Sequence, residues 1–172
     1  MLGLASMNPT GLNGALLEMF NHGIITGAMF LLVGVIYDRA HTRELSKFGG
    51  LSVNMPIYAF FLMICSLGSL GLPGLSGFVG EFLSLIGTYP VFPKLTMIST
   101  IGLIVTVGLF LFMLQRVLLG PLNPNCKKYP DMNSREILTL VPLVLIMVIV
   151  GVYPTIVLRL QDIAIQTLAG LL

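Results

Sequence analysis

Apolar residues fill four long runs of this chain, and most of the charged residues gather in two loops between those runs. The runs cover residues 12–36, 55–88, 95–119 and 136–157. One membrane crossing needs about 20 apolar residues, so the first, third and fourth runs each predict one transmembrane helix. The pattern predicts an all-α membrane protein in which residues 1–172 form one bundle of four spans.

The second run predicts a discontinuous helix. It has about 34 residues, too many for one straight crossing and too few for two crossings joined by a loop. Gly71, Pro73, Gly74 and Gly77 lie close together near its middle. Proline removes a backbone donor and glycine weakens a helix. We therefore expect one crossing made of two half-helices.

The basic residues predict the orientation of this bundle. With four spans, the loops 37–54 and 120–135 lie on one side of the membrane, which holds seven of the nine basic residues. These seven are Arg39, Arg43, Lys47, Arg116, Lys127, Lys128 and Arg135. Basic residues concentrate on the cytoplasmic side of membrane proteins. The pattern predicts a multi-pass protein of the inner (plasma) membrane, with both loops in the cytoplasm and the C-terminus outside.

The composition agrees with a lipid environment. Hydrophobic residues make up 56% of the chain and charged residues 9%, whereas a soluble domain carries about 25% charge. A net charge of +2 is too small to indicate nucleic acid as a partner. Cys65 and Cys126 lie in different contexts, so we expect neither a disulfide nor a metal site. The N-terminus has no signal-peptide pattern and resembles the tail of a longer apolar helix, which suggests a piece of a larger membrane protein.

Glu81 follows the predicted helix break directly. A charge at the bilayer centre costs at least ~2.5–3.5 kcal/mol, so its carboxyl group is not expected to face lipid. A carboxyl group beside a broken helix is typical of ion-coupled transporters and can take up and release protons. The structural alternative is that Glu81 only pairs with a basic residue of another helix. We predict a proton-transfer role for Glu81.

The first run carries a second polar group. Glu18 and His22 are spaced i, i+4 and share one helix face, with Asn21 and Thr26 flanking it. Histidine titrates near neutral pH and can pass a proton between neighbours. The alternative is a neutral buried imidazole bonded to a backbone carbonyl. We predict that His22 relays protons, and we rank Glu18 lower because it lies near the end of its run.

Three motifs resemble a known family. They are the NHG of residues 21–23, the YDRAHTRE loop with its following GGL in residues 37–51, and GLPGLSGFVGE in residues 71–81. Together they resemble the subunit M (subunit 4) class of bacterial proton-pumping NADH:quinone oxidoreductase, complex I. These subunits are similar to those of multi-chain cation/proton antiporters. The resemblance extends over essentially the whole chain.

The resemblance implies a role in proton translocation. Members contain two inverted repeats, each with a broken helix, and a line of buried ionisable residues; this chain would be the C-terminal portion of such a subunit. Glu81 would be the terminal proton carrier and His22 a member of the central polar axis. The partners would be the other membrane-arm subunits and the missing N-terminal part of the same subunit. FMN, the iron–sulfur clusters and quinone would be bound by partner subunits, which leaves no redox-catalytic residue, cofactor or metal in this chain.

Other readings stay open at this point. The chain could belong to a multi-chain cation/proton antiporter or to the membrane arm of a hydrogenase, which share the proton pathway but lack NADH chemistry. A passive scaffold of helices is a third reading, and the acid beside the helix break argues against it.

Overall fold

The computed structural model describes residues 1–169, and every regular element within them is helical. Among these residues three helices are long and apolar enough to cross a membrane, and a fourth apolar helix is shorter. The prediction of an all-helical membrane protein is confirmed. The helices are α1 (Leu2–Ala5), α2 (Pro9–Ala40), α3 (Leu51–Asn54), α4 (Pro56–Ser69), α5 (Ser76–Thr88), α6 (Pro93–Leu118), α7 (Ser134–Val152) and α8 (Thr155–Ala169), with 3₁₀ turns at Leu45–Lys47 and Pro124–Lys128. The candidate spans are α2, α6 and α7, and α4 is the shorter helix.

Helix α2 is longer than the run 12–36 that predicted it. Asn8 caps its start, because the Asn8 side chain accepts a hydrogen bond from the Gly11 N–H at 2.8 Å, and proline at the first helical position needs no partner for a missing N–H. The helix ends where His41 adopts a left-handed conformation, with φ of 51°. Polar caps outside the apolar run therefore set both ends of the helix.

Helix α7 ends earlier than predicted. The expectation that the fourth span continues to residue 157 is wrong, because α7 stops at Val152 and a separate helix, α8, begins at Thr155. Pro154 lies between them and has no N–H to continue the ladder of hydrogen bonds. At its other end, a carboxylate oxygen of Glu136 accepts a hydrogen bond from the Asn133 N–H at 2.7 Å.

One end of the bundle, here called the loop end, is fixed by Arg39 in the last turn of α2. Its guanidinium group donates to both carboxylate oxygens of Glu136, at 3.0 and 2.8 Å. It also donates to the backbone carbonyls of Pro130 and Asp131, at 2.8 and 3.0 Å. A bidentate pair of this kind fixes direction as well as distance, so Arg39 ties α2 to the start of α7.

Asp131 caps α4 from a distant part of the chain. Its carboxylate accepts hydrogen bonds from the Ile57 and Tyr58 N–H groups, at 2.9 and 3.1 Å. A carboxylate at a helix N-terminus satisfies free donors and favours the helix dipole. The segment before α7 therefore holds both α2 and α4 at the loop end.

Helices α2 and α5 run antiparallel with their backbones in contact. Glycines occur at three successive levels of this contact: Gly87 opposite Gly11, Gly14 opposite Ser84, and Gly80 opposite Glu18. A Cβ atom added at Gly14 would overlap the Ser84 backbone nitrogen. Small residues allow such an approach in membrane helices, which brings the polar faces of α2 and α5 together.

Helix α6 contacts the rest of the bundle mainly at its ends. Its buried residues are Thr96 near one end and Leu114, Val117 and Leu118 near the other. The apolar core lies instead between α2, α4 and α7, and it includes the fully buried Leu32, Met55, Leu140 and Met147. The middle of α6 therefore stands away from α2 and leaves open clefts beside it.

Candidate functional site

The segment between α4 and α5 is closed by two local motifs. The Leu72 N–H donates to the Leu67 carbonyl at 3.1 Å, and the Gly71 N–H donates to the Gly68 carbonyl at 3.3 Å. With Gly71 at φ of 68°, these two bonds are those of a Schellman motif. Helix α4 therefore ends in a defined cap that needs glycine at position 71.

A β-turn follows this cap directly. The Leu75 N–H donates to the Leu72 carbonyl at 3.0 Å, with Pro73 and Gly74 as the two central residues. Gly74 has φ of 95°, and proline followed by a residue with positive φ is characteristic of a type II turn. The LPGL sequence thus reverses the local backbone before α5 begins at Ser76.

Glu81 lies in the second turn of α5 and points back toward the Schellman motif. A Cβ atom added at Gly71 would overlap a carboxylate oxygen of Glu81. Glycine is therefore needed at position 71 for two reasons, its left-handed backbone and the close approach of this carboxyl group. The sequence placed Glu81 near the predicted break, and the structure brings its side chain against the cap that ends α4.

Helix α2 presents its ionisable residues along one face toward Glu81. Glu18, His22 and Thr26 follow at four-residue intervals, and the Thr26 hydroxyl lies 3.4 Å from Nδ1 of His22. Glu18 and His22 share two clefts with Glu81. The predicted site residues Glu81 and His22 are thus brought together, and Glu18, which sequence reasoning ranked lower, lies with them.

The two clefts form a line of polar groups through this side of the bundle. The larger has a volume of about 560 Å³ and the smaller about 260 Å³. Each could hold several water molecules, since one water takes about 30 Å³ in the liquid. Hydroxyl groups from three other helices line the clefts: Ser84 of α5, Ser69 of α4, and Ser99 and Thr106 of α6. Carboxyl, imidazole and hydroxyl groups next to water can pass protons along a line.

The clefts contain acids without a basic partner. No lysine or arginine of residues 1–169 lines either cleft. In the same part of the chain, one carboxylate oxygen of Glu18 is buried and has no hydrogen-bond partner. The structural alternative for Glu81, an ion pair with a basic residue, is therefore not seen within the described chain.

Asn21 fixes the start of α5, a role that the sequence did not reveal. Its side chain is fully buried, and its Nδ2 donates to the Ser76 carbonyl at 2.6 Å. The NHG motif placed this amide beside His22, but no sequence signal indicated what lies opposite it. The hydrogen bond holds the first turn of α5 against α2, next to the residues that carry Glu81 and His22.

Other polar residues lie outside this site. His41 is exposed at the end of α2, where its ring lies edge-on to Tyr37 with 6.1 Å between ring centres.

Within residues 1–169, no three histidine, cysteine, aspartate or glutamate side chains come together as ligands for a metal ion. Cys65 and Cys126 are both buried as free thiols.

This chain is similar to known membrane proteins. The family model described as NADH:quinone oxidoreductase/Mrp antiporter, TM, matches residues 1–114. A relative from Rickettsia felis, named NADH-quinone oxidoreductase subunit M, is 39% identical over 97% of this chain. The chain spans 34% of that relative, about a third of its length.

Two solved structures share the fold. Respiratory complex I from Thermus thermophilus contains a chain that is 32% identical, with a TM-score of 0.92 over 99% of this chain and 36% of that one. The Mrp complex from Dietzia sp. DQ12-45-1b contains a chain that is 18% identical, with a TM-score of 0.82 over 97% of this chain and 39% of that one. The second likeness concerns the fold alone.

Proposed function

This chain belongs to the NADH:quinone oxidoreductase/Mrp antiporter transmembrane family, and we propose that it acts within a subunit M of complex I to move protons across the membrane. The observation that carries the proposal is the meeting of Glu81 and His22 in clefts beside the turn between α4 and α5. The relatives named subunit M and the Thermus chain favour complex I over the antiporter reading, because the Dietzia chain is similar in fold alone.

In this proposal, α4 and α5 together make one discontinuous crossing, the fourth span beside α2, α6 and α7. Two short helices joined by the 70–75 segment leave backbone groups free, which lipid does not tolerate but a wet protein cavity does. Water in the clefts would satisfy those groups and would also carry protons to and from Glu81. Glu81 would hold a proton in one step and release it in the next, with His22 relaying between Glu81 and the rest of the polar line.

The proposal includes partners that supply energy. The chain would work beside other membrane-arm subunits in the inner membrane, surrounded by lipid. Electron transfer through FMN, iron–sulfur clusters and quinone would take place in partner subunits. No residue of this chain is proposed to take part in the redox reaction itself, so its part in the enzyme is proton transfer.

The experiment that tests this function deletes the gene for the protein. It then measures NADH-driven proton uptake and sodium-driven release of a pH gradient in inverted membrane vesicles. Complex I membership predicts that NADH-driven proton uptake is lost and returns when the gene is restored. A subunit of a cation/proton antiporter would leave NADH-driven uptake unchanged, and its loss would instead abolish the release of a pH gradient by added sodium. The second result would overturn the proposed function.

We also propose that the loop end faces the cytoplasm, because seven basic residues lie in or beside its loops. A cysteine placed at Ser46 in the full-length protein should stay unlabelled by an impermeant maleimide in intact cells, and one placed at Thr167 should react. The natural thiols give little background, because both are buried and burial raises the pKa of the Cys126 thiol, which lowers the reactive thiolate. Labelling at position 46 without labelling at 167 would reverse the orientation.

A further inference from the structure

Glu18 is the third ionisable residue of the clefts, and its environment differs from that of a surface glutamate. It lines both clefts together with Glu81 and His22. One of its carboxylate oxygens is buried without a hydrogen-bond partner within residues 1–169. A buried acceptor left unpaired is unfavourable, so a proton or a water molecule at this oxygen would stabilise the protein.

The contact between α2 and α5 holds the Glu18 carboxyl group close to Glu81. A Cβ atom added at Gly80 would overlap the Glu18 carboxylate and would lie 3.0 Å from its Cα. Gly80 directly precedes Glu81 in α5. The glycine therefore lets the carboxyl group of one helix lie against the backbone that carries the carboxyl group of the other.

The groups that face this pair carry no permanent positive side chain. Helix α2 contributes His22; α5 contributes Glu81 and the hydroxyl of Ser84; α6 and α4 contribute only hydroxyls, from Ser99, Thr106 and Ser69. Helix α1 contributes no charged side chain to the clefts. Two carboxylates in such a place repel each other, because no lysine or arginine of the described chain lies between them.

We propose that Glu18 is a second proton carrier, which shares one proton with Glu81. The proposal rests on the proton-translocating function proposed above and adds a residue to it. In the transfer step, the O–H bond of the protonated Glu81 breaks and an O–H bond forms on the Glu18 carboxylate, directly or through one water. Glu81 is left as the carboxylate, so the pair keeps one proton and one negative charge during this transfer step.

Sharing a proton between two carboxyl groups costs less energy than releasing it from a single buried acid. A lone buried carboxyl group must create a new charge in the protein each time that it releases its proton. In a pair the charge only changes place, because the carboxylate on one helix disappears as the other forms. His22, one turn from Glu18 on the same face, can then exchange a proton with the Glu18 end of the pair.

The test compares Glu18→Gln, Glu81→Gln and the double variant in the full-length protein within its assembled complex. Glu44→Gln is the matched control, because Glu44 is an exposed glutamate paired with Lys47 at 3.2 Å outside the clefts. The measurements are NADH-driven proton uptake as a function of pH and the infrared band of protonated carboxyl groups. A purely structural role for Glu18 would not move the pH profile or the infrared band.

For Glu18→Gln we expect uptake to fall about three- to tenfold. The alkaline limb of the profile should move to lower pH by about one unit, because Glu81 no longer has a negative neighbour that helps it to keep its proton. The part of the carboxyl band that the pair contributes should change in both single variants and be absent from the double variant. Glu44→Gln should match the wild type in all three respects.

The outcomes separate this inference from the function on which it rests. An inactive Glu81→Gln with an unchanged rate, pH profile and band in Glu18→Gln overturns the shared proton and leaves the proposed function intact. Wild-type pumping in Glu81→Gln overturns both. If Glu18→Gln does not assemble, Glu18→Asp is the deciding variant. A lower rate of proton uptake with a shifted alkaline limb of the pH profile supports the shared proton. An unchanged alkaline limb contradicts it.

Discussion

Glu81→Gln in the full-length protein is expected to assemble normally and to lower proton translocation, with the coupled NADH:quinone turnover, at least about tenfold. Glutamine has nearly the shape of glutamate and fits beside Gly71, where the carboxyl group now lies. It can still donate and accept hydrogen bonds in the clefts, but it cannot gain or lose a proton. The fold is therefore preserved while the proposed carrier is removed.

The size of this effect follows from the work that the carrier must do. Moving one charge against 100 mV costs ~2.3 kcal/mol, which equals about a fiftyfold change in proton affinity at ~1.36 kcal/mol per factor of ten. The proton affinity of a carboxyl group can change by that factor when the charges around it in the cleft change. Neither hydroxyl groups nor an amide can, because they hold their protons at all physiological pH values.

Proton uptake into inverted vesicles, driven by NADH, measures the loss. Glu81→Asp should keep part of the activity, because it retains the ionisable group with a shorter reach. Glu44→Gln, on the exposed surface of the loop end, serves as the control and should be normal. A Glu81→Gln complex that assembles and pumps at the wild-type rate would reduce Glu81 to a structural residue.

Gly14→Ala is expected to lower the free energy of unfolding by about 2–3 kcal/mol. The added methyl group would overlap the backbone nitrogen of Ser84 and would also meet Leu83. Backbone atoms within a helix cannot turn aside as the end of a flexible side chain can. Helices α2 and α5 would have to separate, which would also open the site between Glu18 and Glu81.

Gly23→Ala is the matched control, since it places the same methyl group on the same helix, where no atom of another described helix lies within 4 Å. Both variants gain about 0.5–1 kcal/mol of helix propensity, so the difference between them isolates the helix contact. The midpoint of thermal unfolding and the yield of assembled complex measure it. Equal stability of the two variants would mean that α2 and α5 do not touch at Gly14.

The membrane character of the chain was predictable because lipid imposes a simple rule on sequence. A crossing helix must be apolar over about 20 residues, so α2, α6 and α7 appear directly as long apolar runs. The ends were less predictable. Arg39 lies in the last turn of α2, beyond the predicted end, and it is accommodated because Glu136, 97 residues later in the chain, supplies its ion pair.

The individual site residues were predictable from their chemistry, and their roles as proton carriers stay predictions. An acid beside Pro73 and Gly74, and a histidine in an apolar run, are each costly enough in lipid to draw attention. Glu18 was ranked lower on its distance from the start of the run, which does not show that it shares the clefts with Glu81. Asn21 was noticed only as a neighbour of His22, since its partner, the carbonyl of Ser76, is a backbone atom and leaves no trace in the sequence.

The sequence by itself determined the local structure: the apolar spans, the Schellman cap at Gly71 and the turn at Pro73 and Gly74, because these depend on the conformational preferences of residues next to one another. Only the tertiary structure decided that Glu18, His22 and Glu81 share the same clefts. That meeting depends on the antiparallel contact of α2 with α5, where glycines let two backbones touch. It also depends on α6 standing away from them, and the distance between helices is set by packing between distant segments, which no local pattern records.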